Sequence, residues 1–498
     1  MPMSKPKNPR VHSGSGKHRS WLVLASACFL LLLQSTILIR SRWVEDESWM
    51  SNEAWTLVQE GRIRMPIFPA DPRSRGDVEL PVYVSTMAAS FGAFGLGIPQ
   101  ARLVSALFAT GVVIVVFFLA SDIAGPLCGM LAALFAATDT FLVVAARTAR
   151  PEALTTLLCW LALLLCYRAV QRHSVKLGFA AGAACGLGLV CHPLTLAFLC
   201  AIGLFYCMQY RWRVVREPLV WVFFVTAFLP VVPYLLWCFS DAAHIACFHD
   251  MFTNKAAEPL RARIIGEADR WRDFIGLASQ RVALPFRVPF RIHIPIILTC
   301  AFAFLFSKDR KLAIPALTLL AVNIGWFFYM VNKGPRYLAL LSPLFAILLA
   351  YFVAQSRGQP WHKIAIAAVV LVLITQVAGS AYWLYKFRTA DYPVVARELQ
   401  QIIPPGASVY GLITFWLALH DRTYYAYDRT PLDFATEKLR PQYMILYDRV
   451  MSRGSGHGTD DFERLRTEAT KFVRSHGTLA GRVSNEFYGD LEIYRISY

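Results

Sequence analysis

Apolar runs of the length that crosses a bilayer recur through most of this 498-residue chain, and they leave few folds open to it. A helix needs ~20 mainly apolar residues to span the hydrocarbon core, and only a segment that satisfies its own backbone hydrogen bonds is stable there. Such runs lie near 21–39, 102–121, 126–146, 153–170, 177–190, 193–208, 218–238, 289–306, 312–330, 335–353 and 363–385. The implied fold class is a polytopic α-helical membrane protein of about eleven spans. Composition agrees, with 56% hydrophobic residues and a mean hydropathy of +0.44.

Orientation follows from the basic residues, because short cationic loops stay cytoplasmic. Lys5, Lys7, Arg10, Lys17 and Arg19 precede the first run; Arg168, Arg172 and Lys176, then Arg211, Arg213 and Arg216, then Lys308, Arg310 and Lys311 fall in alternate later loops. This places residues 1–20 in the cytoplasm as a disordered tail, and loops 40–101 and 239–288 with the C-terminus on the outer face. Residues 81–97 are apolar enough to span, yet a span there would invert every later loop. They are expected to form a short helix or re-entrant piece at the outer leaflet. The first run has no small-residue cleavage site after it and is read as an anchor. The expected location is the bacterial inner (plasma) membrane.

The net charge of +17 does not point to nucleic acid, since much of it orients the chain and meets anionic headgroups. Loop 239–288 departs from the rule with Lys255, Arg261, Arg263, Arg270, Arg272, Arg281 and Arg287, interleaved with Glu258, Glu267, Asp269 and Asp273. That pattern suits an amphipathic helix on the membrane surface, or cations for anionic lipid. All 11 cysteines lie at or before Cys300, mostly in apolar runs, and imply neither a disulfide framework nor a metal site. Gly178, Gly182 and Gly186 recur every fourth residue, which favours close helix contact.

From 386 charged and turn residues return. A helix is expected over 391–403, stopped by Pro404-Pro405-Gly406, and another over 459–475; Ser408 to Phe415, Thr423 to Tyr427, Gln442 to Tyr447 and Leu491 to Ile496 read as strands. The expected organisation is thus a tail (1–20), a transmembrane catalytic domain (21–385) and a small extracytoplasmic α/β domain (386–498). Trp416, Tyr424, Tyr425 and Tyr427 in the last are read as sugar-stacking rings or as half-buried strand aromatics.

Charged residues gather at the outer span ends: Asp46 and Glu47, Glu79, Arg147, Arg150 and Glu152, and Lys333 with Arg336. Any one alone reads as a snorkelling or paired interfacial group. Together, acids and cations from at least four spans are what a reaction on an anionic lipid headgroup requires. His192, His244 and His249 in outer loops have no ligand spacing and read as interfacial histidines.

These residues carry a resemblance. Asp46-Glu47-Ser48-Trp49-Met50-Ser51-Asn52-Glu53-Ala54-Trp55 through Glu60-Gly61 resembles the first outer loop of the GT-C class of lipid-phosphosugar-dependent glycosyltransferases. Glu79-Leu80-Pro81-Val82-Tyr83, Ala101-Arg102-Leu103, Arg147-Thr148-Ala149-Arg150-Pro151-Glu152 and Lys333-Gly334-Pro335-Arg336-Tyr337-Leu338 follow in the family's order, over roughly the first 390 residues. The likeness is greatest to protein O-mannosyltransferases and to bacterial aminoarabinose transferases acting on lipid A. The aminoarabinose branch carries a Lys directly after the acid where this chain has Leu80.

The resemblance implies inverting transfer of a sugar from a polyprenyl-phosphate donor to a lipid, glycan or protein acceptor. An attacking hydroxyl needs a base, for which Asp46 is the choice, with Glu47 orienting it or meeting sugar hydroxyls and Glu79 across the cleft. Arg147, Arg150, Lys333, Arg336 and Tyr337 are the candidates for the donor phosphate. One carboxylate suffices, because the phosphate that leaves the phosphodiester donor is already a weak base, unlike the pair a glycosidase uses. No cofactor is required, and a divalent metal stays open. Two alternatives rank below: a diphosphate-donor ligase of the O-antigen-ligase type, expected to carry its larger loop late in the chain, and a lipid or glycan transporter, expected to show repeats and charged span centres.

Overall fold

The computed structural model describes residues 14–37, 43, 45–256, 339–447 and 459–498. The runs at 289–306 and 312–330, the first part of 335–353, loop residues 257–288, and Lys333, Arg336 and Tyr337 lie outside the described residues. In chain order the helices are α1 (Gly14–Ile37), α2 (Glu45–Glu60), α3 (Pro81–Phe94), α4 (Ile98–Ala124), α5 (Pro126–Thr138), α6 (Thr140–Arg147), α7 (Glu152–Arg172), α8 (Val175–Cys191) and α9 (Thr195–Tyr210). They continue as α10 (Pro218–Phe228), α11 (Val231–Cys238), α12 (Ala242–Ala256), α13 (Ser342–Ser356), α14 (His362–Lys386), α15 (Tyr392–Ile402) and α16 (Thr459–His476).

Among the described residues four helical stretches are long and apolar enough to cross a membrane: α4, α7, Pro218–Cys238 and the His362–Tyr382 part of α14. The count rises to five if the bent pair α5 and α6 is one span. The apolar parts of α1, α8 and α13 are shorter helices, so the expected eleven is not reached among the described residues. The run expected as one span at 126–146 is two helices that meet at 58°. The 81–97 segment is the 14-residue helix α3, shorter than a span, ending at Gly95.

Local sequence sets these ends. Gly125, at φ +88, stops α4 in a conformation that suits glycine, and Pro126 opens α5 at once. The glycine stripe packs α8 on α10: a Cβ on Gly178 would lie 2.6 Å from Leu219 Cδ1, and one on Gly182 would run into the Phe223 carbonyl. Leu107, Phe179, Leu196, Ile364 and Ile374 stay exposed on outward helix faces, as a lipid-facing surface demands. Helices α4 and α7 run between the two ends of the bundle. Arg102 and Glu152 mark one end, while Asp122 and Arg168, 2.6 Å apart, mark the other.

Beyond α14 lies a five-stranded sheet of order β2-β1-β3-β5-β4, built from β1 (Ser408–Gly411), β2 (Thr423–Ala426), β3 (Tyr443–Tyr447), β4 (Gly477–Asn485) and β5 (Gly489–Ile496). Strand β1 is parallel to both neighbours, and β3, β5 and β4 pair antiparallel. The strand expected over Ser408 to Phe415 is shorter, because residues Ile413–Leu419 coil into a 3-10 helix. Strand β4 was not expected from a stretch rich in Gly, Ala and Ser; it is an edge strand with an irregularity between Leu479 and Gly481.

The sheet shares its core with the start of the chain. One apolar cluster joins Trp43, Met50, Ala54, Phe68, Tyr83 and Phe91 to Tyr392, Val395, Val409, Phe415 and Tyr488. Backbone bonds stitch the same seam, for Ala426 N donates to Ile67 O at 2.9 Å. Trp43 N donates to the Tyr488 hydroxyl at 2.8 Å.

Candidate active site

Helix α2 opens at Glu45, and the Asp46 and Glu47 carboxylates in its first turn complement the positive end of the helix dipole. The two acids singled out there have different fates. Glu47 is fully buried and accepts two bonds of 2.8 Å from Arg102, one from Nε and one from Nη2. It also accepts from the Ala149 amide at 2.8 Å, which ties α2 to the turn between α6 and α7. The Arg102 guanidinium stacks 5.5 Å from the Trp43 ring centroid. So enclosed, the Glu47 carboxylate ties α2 to α4 and to the turn between α6 and α7.

Asp46 differs, with its side chain 34% exposed and paired to Arg150 Nη1. Arg150 is fixed from behind by Glu152 Oε1, 2.9 Å from its Nε. Its backbone is held by Ser105, whose hydroxyl donates to Arg150 O at 3.2 Å and lies 2.9 Å from the Tyr83 hydroxyl. Arg147, the last residue of α6, is buried within electrostatic range of Glu47 and Arg102. The structure therefore gathers Asp46, Glu47, Arg147, Arg150 and Glu152 at one end of the bundle.

Glu79 belongs to an adjoining acidic cluster that the sequence reading missed. Arg73 is its hub, 3.3 Å from Glu79 Oε1, 3.3 Å from Asp71 Oδ2 and 3.4 Å from Asp77 Oδ2. Burial, with Asp77 and Glu79 beside it, pushes the Glu53 carboxyl well above its ordinary range. Burial and the Glu79 charge raise Asp77 to about 6, against the pull of Arg73. Glu53 also accepts from Trp49 Nε1 at 3.3 Å, so Asp46, Trp49 and Glu53, at positions i, i+3 and i+7, carry the site along one face of α2. Two guanidinium groups approach the Trp49 ring, Arg73 at 5.7 Å and Arg429 at 5.4 Å from its centroid. Arg429, from the residues after β2, reaches Asp71 at 3.1 Å. Leu80 adopts φ +52, a left-handed conformation that lets the chain turn from Glu79 into Pro81 of α3.

Of the histidines, His244 packs its ring against Gly76 of the 71–79 loop. His192 ends α8 and accepts from Leu194 N at 3.2 Å, and His244 pairs with Asp241 at 3.0 Å. Among the described residues no group of three or more His, Cys, Asp and Glu side chains is arranged to hold a metal. Trp416 and Tyr424 are buried, the latter donating its hydroxyl to Leu412 O at 2.6 Å, which removes both as stacking platforms. Tyr427 lines a small cavity of about 20 Å³ with Tyr410 and Tyr447. A signal for the missed groups existed in the charge density of Asp71-Pro72-Arg73 through Asp77-Val78-Glu79 and in Arg102 at the mouth of a span.

Comparison with known proteins agrees with the fold. Residues 79–237 match the family model of dolichyl-phosphate-mannose-protein mannosyltransferases. The structure superposes on ArnT from Cupriavidus metallidurans bound to undecaprenyl phosphate with a TM-score of 0.66 at 12% identity, covering 97% of this chain and 99% of that one. It superposes on the oligosaccharyltransferase AglB from Archaeoglobus fulgidus, in complex with an inhibitory peptide and a dolichol-phosphate, with a TM-score of 0.57 at 13% identity, covering 97% and 75%. No curated protein sequence matches the chain.

Proposed function

We propose that this membrane glycosyltransferase of the GT-C class moves one sugar, with inversion, from a polyprenyl-phosphate donor to a hydroxyl of a lipid, glycan or protein acceptor at the non-cytoplasmic face. The observation that carries the reading is the Asp46 to Arg150 pair, a solvent-reaching carboxylate held against a guanidinium at the mouth of the bundle. Support comes from the polyprenyl phosphates bound to both structural neighbours.

In this reading Asp46 takes the proton of the acceptor hydroxyl as its oxygen bonds to the anomeric carbon. The bond from that carbon to the phosphate oxygen breaks, and the lipid phosphate leaves as an anion. Arg150 and Arg147 face the developing charge, in a site dry enough for such contacts to count. Lys333, Arg336 and Tyr337 are assigned to the same phosphate from their place in the sequence. Glu47 takes no part in proton transfer; through Arg102 and Ala149 it fixes where Asp46 and the 148–151 turn stand.

The test is sugar consumption from a panel of synthetic polyprenyl-phosphate sugars by purified protein, with an envelope extract as acceptor source. Asp46→Asn keeps shape and removes the base, and should lower turnover about 10²- to 10⁴-fold in folded protein. Turnover within threefold of wild type would remove Asp46 from the reaction. No consumption of any donor by folded wild type would sink the donor assignment.

A further inference from the structure

The 58° break between α5 and α6 has no ordinary cause in the sequence. Sharp helix kinks arise at Pro, at Gly, or where a side chain intrudes on the backbone ladder. Neither Gly nor Pro occurs between Gly129 and Pro151. What sits at the break is Asp139, 2% exposed inside an apolar bundle. Its Oδ1 accepts from the amides of Phe141 and Leu142, both at 3.0 Å, and from the Ser342 hydroxyl at the start of α13. The carboxylate thus takes the amides that a continuous helix would have given to its own preceding turn, and it makes itself the N-cap of α6.

Other helices are adapted to the same break. Gln34 of α1 donates to the Ala137 carbonyl at 2.9 Å, and the Thr138 hydroxyl donates to Gln376 of α14 at 2.7 Å. Three separate helices, α1, α13 and α14, each spend a polar side chain at this level, which a disposable kink would not attract. Helix α6 is only 8 residues long and ends on Arg147, with the Ala149 amide and the Arg150 guanidinium directly after it. A change of direction at Asp139 is therefore delivered about 12 Å away, at the candidate phosphate site.

We infer that Asp139 is a positioning residue: by capping α6 and tying it to Ser342 it breaks the span and aims Arg147 and Arg150 at the donor. This rests on the donor reading above. The role needs an acceptor oxygen and not a charge, so Asn should serve.

Two measurements test it on the full-length protein. Nitroxides at Leu127→Cys and Thr148→Cys, in a background without other reactive cysteines, should be about 28 Å apart with the 58° bend and about 32 Å apart in a straight helix. The donor and acceptor kinetics are read in parallel. Asp139→Ala should lengthen the distance and raise the donor KM at least tenfold, leaving the acceptor KM within twofold, while Asp139→Asn restores both distance and KM. A merely destabilising substitution would reduce the amount of active enzyme and leave both KM values alone. An unchanged distance and donor KM in Asp139→Ala would overturn the inference, and so would an Asn variant as damaged as Ala. If Asp139→Ala does not fold, Asp139→Gly, tolerated at cap positions but lacking an acceptor, carries the same comparison. An inert wild type would defeat the donor reading, whereas the distance measurement still decides whether Asp139 makes the bend.

Discussion

Removing Glu47 should damage the fold more than any other single carboxylate of the site, and the size of the effect can be worked from its partners. Glu47→Ala leaves Arg102, 3% exposed, as a buried charge without its bidentate acceptor. Breaking a buried pair from one side costs about 3–5 kcal/mol. The Ala149 amide, also fully buried, loses its acceptor for about 1–3 kcal/mol more. A total of about 4–8 kcal/mol rivals the whole stability of many domains. Thermal unfolding in detergent, followed by a thiol-reactive dye that reports buried Cys159, Cys166, Cys185 and Cys191 as they open, should show an apparent Tm lower by about 4–8 °C, or no folded protein. Glu47→Gln keeps an oxygen for Ala149 and should lose less. The double variant Glu47→Leu with Arg102→Met should be more stable than Glu47→Ala, because it does not leave the Arg102 charge without its carboxylate and relieves buried Arg147 of a like-charged neighbour. The reasoning is refuted if Glu47→Ala melts within 2 °C of wild type, or if the double variant loses the sum of the two single losses.

Other outcomes follow from neighbouring features. Because Asp77 is raised from its ordinary 3.8 to about 6, its contribution to stability is fully present below about pH 4 and is lost as pH rises through 6, about 3 kcal/mol in all. The apparent Tm should therefore fall between about pH 4 and pH 7, and Asp77→Asn should flatten that slope; equal slopes would show that Asp77 is not the group responsible. Gly182→Leu, which drives a side chain into the Phe223 backbone, should abolish folded recovery on size-exclusion chromatography, whereas Gly92→Ala, with open space around its Cβ, should be neutral. Arg429→Ala removes a half-exposed partner of Asp71 and Trp49 and should lower stability by no more than about 1 kcal/mol in the same dye assay.

The parts of this molecule legible in its sequence are those in which a residue answers to the bilayer or to its immediate neighbours. The apolar runs of α4, α7 and α14 announce themselves by length, and the Pro404-Pro405-Gly406 stop of α15 by local geometry. The four-residue spacing of Gly178, Gly182 and Gly186 likewise announced a close helix contact, though not that α10 makes it. Asp139 was not, because a lone acid in an apolar run gives no hint that it will take the Phe141 and Leu142 amides and split a span. The sequence singled out Asp46 as the base, but it gave no sign that Glu47 beside it would be buried. They are adjacent on one helix, so one turns toward Arg102 and the interior while the other stays at the mouth. The Glu53, Asp77 and Glu79 cluster needs the 71–79 loop folded onto α2, a tertiary event that no local pattern encodes.

The seam between the ends of the chain sets an order of events during biosynthesis. Trp43 is bonded to a residue 445 positions later, and Ser48 donates to Thr414 O. Closing loops of that size is slow compared with forming any single helix. Until the sheet strands have been made and have docked, α2 lacks the residues that pack beneath it, among them Phe415 and Tyr488. The helix that carries Asp46 and Glu47 therefore gains its full set of contacts only late in the synthesis of the chain.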